Sequence, residues 1–149
     1  MIFTTVSLTL SILFCNWFSS YYSTVLYGKT ITCPGWLGTP YRYGGSTRKG
    51  VDCSGLVNQI YKQVYHRSLE RSSSGIATRN CRKIMKSDLS SGDLVFFNTS
   101  RKKRKGINHV GLFLKNGYFI HASTSRGVII SNLKEDYYRK TWKQGGRVK

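Results

Sequence analysis

Gly50-Val51-Asp52-Cys53-Ser54-Gly55-Leu56-Val57 is the stretch at which a turn gives way to a helix. Gly50 and Asp52 break and cap, while Leu56, Val57, Ile60 and Val64 recur at helical spacing. This reading puts Cys53 in the first turn of a helix that fades near His66. Backbone N–H groups left unpaired at a helix start, with the positive end of the helix dipole, favour a thiolate over a thiol. The thiolate is the nucleophilic form of cysteine.

A second stretch says what could serve that thiol. His109-Val110-Gly111-Leu112-Phe113-Leu114, then Lys115-Asn116-Gly117, then Tyr118-Phe119-Ile120-His121-Ala122-Ser123 reads as a hairpin whose register decides where two histidines point, because strand side chains alternate faces. A two-residue Asn116-Gly117 loop would pair Lys115 with Tyr118 and send the histidines to opposite faces, mixing His121 and Ser123 into the apolar set. A three-residue loop from Lys115 to Gly117, with Gly117 left-handed, pairs Leu114 with Tyr118 and collects Val110, Leu112, Leu114, Tyr118, Ile120 and Ala122 on one face. The second register is the expected one. It sets His121 opposite Gly111, on the face of His109 and roughly 7–8 Å from it between backbones. Alone, either histidine is more simply read as structural. Together with a helix-start cysteine they form what a Cys/His nucleophilic site needs: one imidazole for the thiol and a second polar group to orient the first.

The rest of the chain frames this constellation. A length of 149 residues suits one domain with its own core. The balance of 24 Lys and Arg against 6 Asp and Glu gives a formal charge of +18 and implies a polyanionic neighbour. Nucleic acid, anionic lipid head groups and bacterial wall polymers all qualify. Cys15, Cys33, Cys53 and Cys81 form no CxxC pair, which argues against a zinc site or a dense disulfide framework. A Cys33–Cys81 bridge in an oxidising compartment stays open beside buried free thiols.

Residues 1–27 read as a signal peptide or a membrane or lipid anchor, and residues 28–149 as the folded domain. Met1 to Gly28 holds no Lys, Arg, Asp or Glu, and Ile2 to Phe18 is mostly apolar, although the usual basic n-region is missing. Ile12-Leu13-Phe14-Cys15 is similar to a lipoprotein processing box with a bulky Phe14, so acylation at Cys15 and an uncleaved span are the alternatives to cleavage. Glycines and prolines between Tyr21 and Thr47 announce loops, from which Tyr41-Arg42-Tyr43 runs toward the cysteine helix. Those aromatics either lie beside the thiol or pack a solvent-side turn. Beyond the helix the spacing predicts a short helix over Ile76 to Met85, a turn at Ser90-Ser91-Gly92-Asp93 and strands at Leu94 to Phe97 and Gly127 to Ser131. Arg101-Lys102-Lys103-Arg104-Lys105 is a solvated loop or a polyanion contact. The tail from Asn132 to Lys149 reads only as a closing segment.

From about Gly38 onward the chain resembles the NlpC-type cell-wall cysteine peptidases, and within them the Spr-type (MepS-like) murein endopeptidases. The resemblance is carried by Gly38-Thr39-Pro40-Tyr41-Arg42-Tyr43-Gly44-Gly45-Ser46, Asp52-Cys53-Ser54-Gly55, Ser91-Gly92-Asp93-Leu94-Val95, His109-Val110-Gly111, His121-Ala122-Ser123-Thr124-Ser125 and Gly127-Val128-Ile129-Ile130. It implies an α+β, minimal papain-like domain with the cysteine helix packed on an antiparallel sheet. By the resemblance Cys53 is the nucleophile, His109 the general base and acid, and His121 the residue that orients His109. Tyr41 lies at the site, the Cys53 amide helps to hold the oxyanion, and Ser54 and Arg71 contact substrate. The implied reaction is amide hydrolysis in peptidoglycan stems or cross-links through a thioester, with no metal or cofactor. The implied partners are peptidoglycan and anionic wall polymers, with membrane attachment through the leader, no specific nucleic acid, and an exported periplasmic or envelope location. Glu70 stands where that pattern has proline and Ile76 where it has glutamine, which bears on substrate preference. A wall-binding module without catalysis, an amidase or acyltransferase on another substrate, and a nucleic-acid binder are the rival readings.

Overall fold

Asp52 is extended (φ −96°, ψ 176°) and its side chain accepts the Gly55 N–H, so helix α1 begins where the cap dictates and spans Cys53–Tyr65. It stops at His66, left-handed at φ 54°, whose N–H returns to the Lys62 carbonyl. The computed structural model describes residues 24–26 and 29–31 as strand backbone, and residues 35–100 and 106–149 with their side chains. Apart from the strand backbone at 24–26, the segment read as an export signal lies outside the described residues, as do Cys15, Cys33 and Arg101 to Lys105.

Ahead of α1 come two short antiparallel pairs, β1 (Thr24–Leu26) with β2 (Lys29–Ile31) and β3 (Ser46–Thr47) with β4 (Gly50–Val51). After it follow α2 (Ser73–Gly75), β5 (Cys81–Ile84), β6 (Leu94–Phe97), β7 (His109–Phe113), β8 (Tyr118–Ser123), β9 (Gly127–Asn132), α3 (Asp136–Thr141) and β10 (Trp142–Val148). The last six strands form one antiparallel sheet in the order β5-β10-β6-β7-β8-β9. This is the expected α+β arrangement.

Alternation along these strands gives the sheet two apolar faces. Leu94, Phe96, Val110, Leu112, Leu114, Ile120, Ala122 and Val128 pack with Leu56, Val57 and Ile60 of α1. Val95, Phe97, Phe113 and Phe119 pack on the other side with Leu133 and Tyr138. Each such fully buried side chain contributes roughly 1.5–3 kcal/mol against the entropy of ordering it. Covering both faces leaves the rigid centre of the sheet, strands β6 to β8, as the support on which α1 presents its first turn.

The β7–β8 register is the expected one. Leu112 pairs with Ile120, Phe113 with Phe119, and the Leu114 N–H donates to the Tyr118 carbonyl at 2.8 Å. The turn is tighter than the three-residue reading. Tyr118 N–H donates to the Lys115 carbonyl at 2.9 Å across Asn116 (φ 54°) and Gly117 (φ 82°), so both central residues are left-handed as in a type I′ turn. Leu114 and Lys115 then face Tyr118 together, a bulge that restores the register favoured by the apolar face.

Two expectations are corrected. The segment Ile76 to Met85 is not one short helix. The Ser72 hydroxyl accepts the Gly75 N–H and starts the helical turn earlier, a wider turn covers Ile76–Asn80, and Cys81 becomes extended because it pairs with Val148. The tail is no mere closing segment, since β10 is the strand between β5 and β6. Its Gly145-Gly146 hides this from a reader of strand propensities. A Cβ on Gly145 would lie 2.9 Å from Ile84 and one on Gly146 2.7 Å from the Phe96 ring, so these strands approach too closely for side chains. Cys81 is a buried free thiol; its suggested partner Cys33 lies outside the described residues.

Candidate active site

Two polar networks meet at Cys53. The first fixes the helix start. Asp52 Oδ1 accepts from Gly55 N at 2.7 Å and Arg71 Nη1 at 2.8 Å, while Oδ2 accepts from Gly44 N at 2.8 Å and Arg71 Nη2 at 3.1 Å. Arg71 also donates to Ser54 Oγ at 2.7 Å and to the Gly45 carbonyl at 2.9 Å. Burial opposes ionisation of Asp52, but the Arg71 guanidinium and the two amides outweigh it and hold the carboxyl below its ordinary pKa. Ser54 is buried, with its hydroxyl 2.8 Å from the Arg71 carbonyl and 3.1 Å from Asp52 Oδ1. Its single proton serves one of them.

With Gly55 N bonded to the cap side chain and Leu56 N to the Asp52 carbonyl, the N–H groups of Cys53 and Ser54 remain, and both face the Cys53 sulfur. The Val110 N–H, next in chain to His109, is directed at the same sulfur. These amides act as the helix-start argument requires. Burial outweighs them, however, and together with the Asp52 charge it raises the thiol pKa above its ordinary value. The shift favours the thiol over the thiolate, so the nucleophile calls for a base.

The second network holds the histidines. His109 Nε2 and His121 Nδ1 lie 2.9 Å apart, and His121 Nε2 lies 3.0 Å from both Ser131 Oγ and Tyr138 Oη. Gly111 makes the approach possible, since a Cβ there would sit 2.7 Å from the Phe119 ring and 3.2 Å from His121 Cβ. Removal from water pushes the imidazolium pKa of His109 down to about 4, although the residue as a whole is only half-buried. His121 is shifted down as well, by burial first and then by the charges of His109 and Arg126.

Tyr41 borders the site. Its segment is clamped to β4 by Val51 N–H to the Pro40 carbonyl at 3.0 Å and Arg42 N–H to the Val51 carbonyl at 3.2 Å. Burial, then the charges of Cys53 and Asp52, raise its phenol pKa. Cys53, His109, His121 and Tyr41 are thus gathered at one end of α1, with Ser54 and Arg71 one layer behind, around Asp52. Glu70 forms a surface ion pair with Arg79 at 3.2 Å, and Ile76 is fully buried in the core. Among the described residues no group of three or more His, Cys, Asp or Glu is placed to hold a metal ion.

Ser131 and Tyr138 escaped the sequence reading. For Ser131 a signal existed: His121 pairs with Ile129 across β8 and β9, and two residues on, Ser131 returns to the same face. Tyr138 had none, because only the fold brings α3 back beneath the sheet.

The model of the NlpC/P60 family matches residues 38–147. A Haemophilus influenzae protein named probable endopeptidase NlpC homolog is 44% identical over 113 residues, 76% of this chain. An Escherichia coli protein named murein DD-endopeptidase MepS/murein LD-carboxypeptidase is 41% identical over 113 residues, again 76% of this chain. The aligned region spans 57% of the length of each of these relatives. A solved NlpC/P60 family protein from Bacillus cereus superposes with a TM-score of 0.69 at 32% identity, covering 78% of this chain and 37% of that one.

Proposed function

The chain belongs to the NlpC/P60 family, and from that premise we propose that it is a cysteine peptidase cutting amide bonds of peptidoglycan, the D,D cross-link before the stem, with Cys53 as nucleophile, His109 as base and acid, and His121 orienting His109. The observation that carries this reading is the hydrogen-bonded His109–His121 pair, set on β7 where the backbone of the next residue, Val110, acts on the helix-start thiol. His109 Nε2 is engaged by His121, so Nδ1 is the nitrogen left to take the thiol proton. Sγ attacks the amide carbonyl carbon as that proton moves to Nδ1. The N–H groups of Cys53 and Ser54 support the negative charge developing on the carbonyl oxygen. His109 then returns the proton to the departing amine nitrogen, leaving a thioester on Cys53. Water, giving its proton to His109, attacks the thioester, and the thiolate leaves and is reprotonated.

Tyr41 lines the approach to the sulfur, and Arg71 and Ser54 hold the helix start from behind through Asp52. The formal charge of +18 holds the enzyme to anionic wall polymers. Residues 1–27 export it to the periplasm or envelope, with acylation at Cys15 as the alternative to cleavage. The test is mass spectrometry of products from a defined cross-linked muropeptide, wild type against Cys53→Ala. Scission of the D,D bond by wild type alone is expected. Equal products from both proteins would sink the peptidase reading, and a cut at the γ-glutamyl bond would move the specificity.

A further inference from the structure

We propose that Ser131 and Tyr138 are positioning residues, a buried pair of hydroxyls that ends the histidine chain and fixes the proton arrangement His109 needs; this rests on the peptidase reading above. His121 is 2% exposed, Ser131 4% and Tyr138 5%, so no bulk water completes the shell around His121 Nε2. Its two partners, each at 3.0 Å, also face one another, Ser131 Oγ to Tyr138 Oη at 3.3 Å.

The proton count selects a role for them. To accept from the thiol at Nδ1, neutral His109 must carry its proton on Nε2 and donate it to His121 Nδ1. Neutral His121 then carries its own proton on Nε2, and that N–H needs an acceptor. When His109 becomes an imidazolium the requirement hardens, because both of its N–H groups must then donate. The opposite arrangement, a hydroxyl donating to His121 Nε2, would put a proton on His109 Nδ1 and block the base. Among the described residues no carboxylate terminates the chain; hydroxyl oxygens do. Arg126, exposed in the β8–β9 turn, opposes a second positive charge on His121 and keeps the transferred proton on His109. With two hydroxyls bonded to each other, one remains an acceptor whichever way the other rotates. Tyr138 is placed for this by edge contacts of its ring with Phe97 and Phe119, centroids 5.4 and 4.9 Å away.

Ser131→Ala, Tyr138→Phe and the double variant test the inference, since each keeps the packing of the site. Nitrogen-15 NMR of the free enzyme should show wild-type His121 protonated at Nε2 and bare at Nδ1, with that tautomer lost in the double variant. Each single variant should lose a few-fold in kcat. The double variant should lose roughly 100-fold, the low end of what positioned acid–base groups contribute, with KM unchanged. Adding Ser131→Thr to Tyr138→Phe should keep the activity of Tyr138→Phe alone. Wild-type His121 protonated at Nδ1, or a double variant with the wild-type tautomer and kcat, overturns the inference. The expected tautomer in a protein that releases no muropeptides supports the proton arrangement and sinks the peptidase reading instead, so the two failures are separable.

Discussion

The two sides of Cys53 solve opposite problems. On the Asp52 side a full charge pair, Asp52 with Arg71, holds the loop at Gly44 and Gly45 to the first turn of α1, and ionisation is favoured. On the His109 side the proton-carrying chain is itself uncharged at rest: the ring is desolvated, its partner is another neutral ring, and hydroxyls end the chain, with the charge of Arg126 acting from the β8–β9 turn. The difference teaches a division of labour. Charge is used where geometry must stay fixed through the cycle, and neutrality where a proton must arrive and leave.

The comparison is broken most easily at the base. His109→Ala should lower kcat/KM by roughly 10²–10⁴-fold while thermal unfolding changes little. A loss of similar size in Asp52→Asn, which keeps a capping side chain, would erase the distinction between the two sides. Next in size is Gly111→Ala. Its Cβ would meet the Phe119 ring, the Ile120 carbonyl and His121 Cβ at 2.7, 3.0 and 3.2 Å, so a loss of roughly 1–3 kcal/mol in denaturant unfolding is expected. Activity should fall with it, because the strain lands on the His121 backbone. Asp52→Ala should cost about 1–2 kcal/mol through the lost cap, with a modest salt dependence because the Arg71 side chain is 45% exposed and screened.

A last test is in pH. Folded His109 titrates near pH 4 and the unfolded chain near 6.5, so unfolded protein binds more protons between these values. Stability should fall as pH drops through that window and show no His109 contribution above it. Asp52 acts later: its contribution is present above its unfolded value of 3.8 and is lost as pH falls below that. A urea titration series across pH, repeated with His109→Ala, separates the two.

How much of this could be read from the chain follows from where each signal is local. The cap at Asp52 and the end of α1 near His66 lie within one turn of their causes, and both stood in the sequence. The hairpin register was legible because the apolar set Val110, Leu112, Ile120 and Ala122 tolerates only one alternation; the bulge that delivers it was not, because Asn116-Gly117 fits either turn. Only half of what acts on the thiol was legible. Dipole and amides can be inferred from a helix start, whereas the burial that outweighs them comes from strands more than fifty residues away in the sequence, β7 among them. The place of β10 and the hydroxyl of Tyr138 depend wholly on long-range packing, and Gly145 and Gly146 read as breakers only until their neighbours are known.

The central claim is that Cys53 and His109 rest as an uncharged pair and exchange a proton only when substrate arrives. Alkylation of Cys53 by iodoacetamide, followed against pH and assigned to its peptide by mass spectrometry, tests this most directly. The account predicts a rate that climbs through pH 8 and beyond, above the roughly 8.5 midpoint of an ordinary thiol. A rate already level below pH 7 would reveal a standing thiolate–imidazolium pair and contradict it.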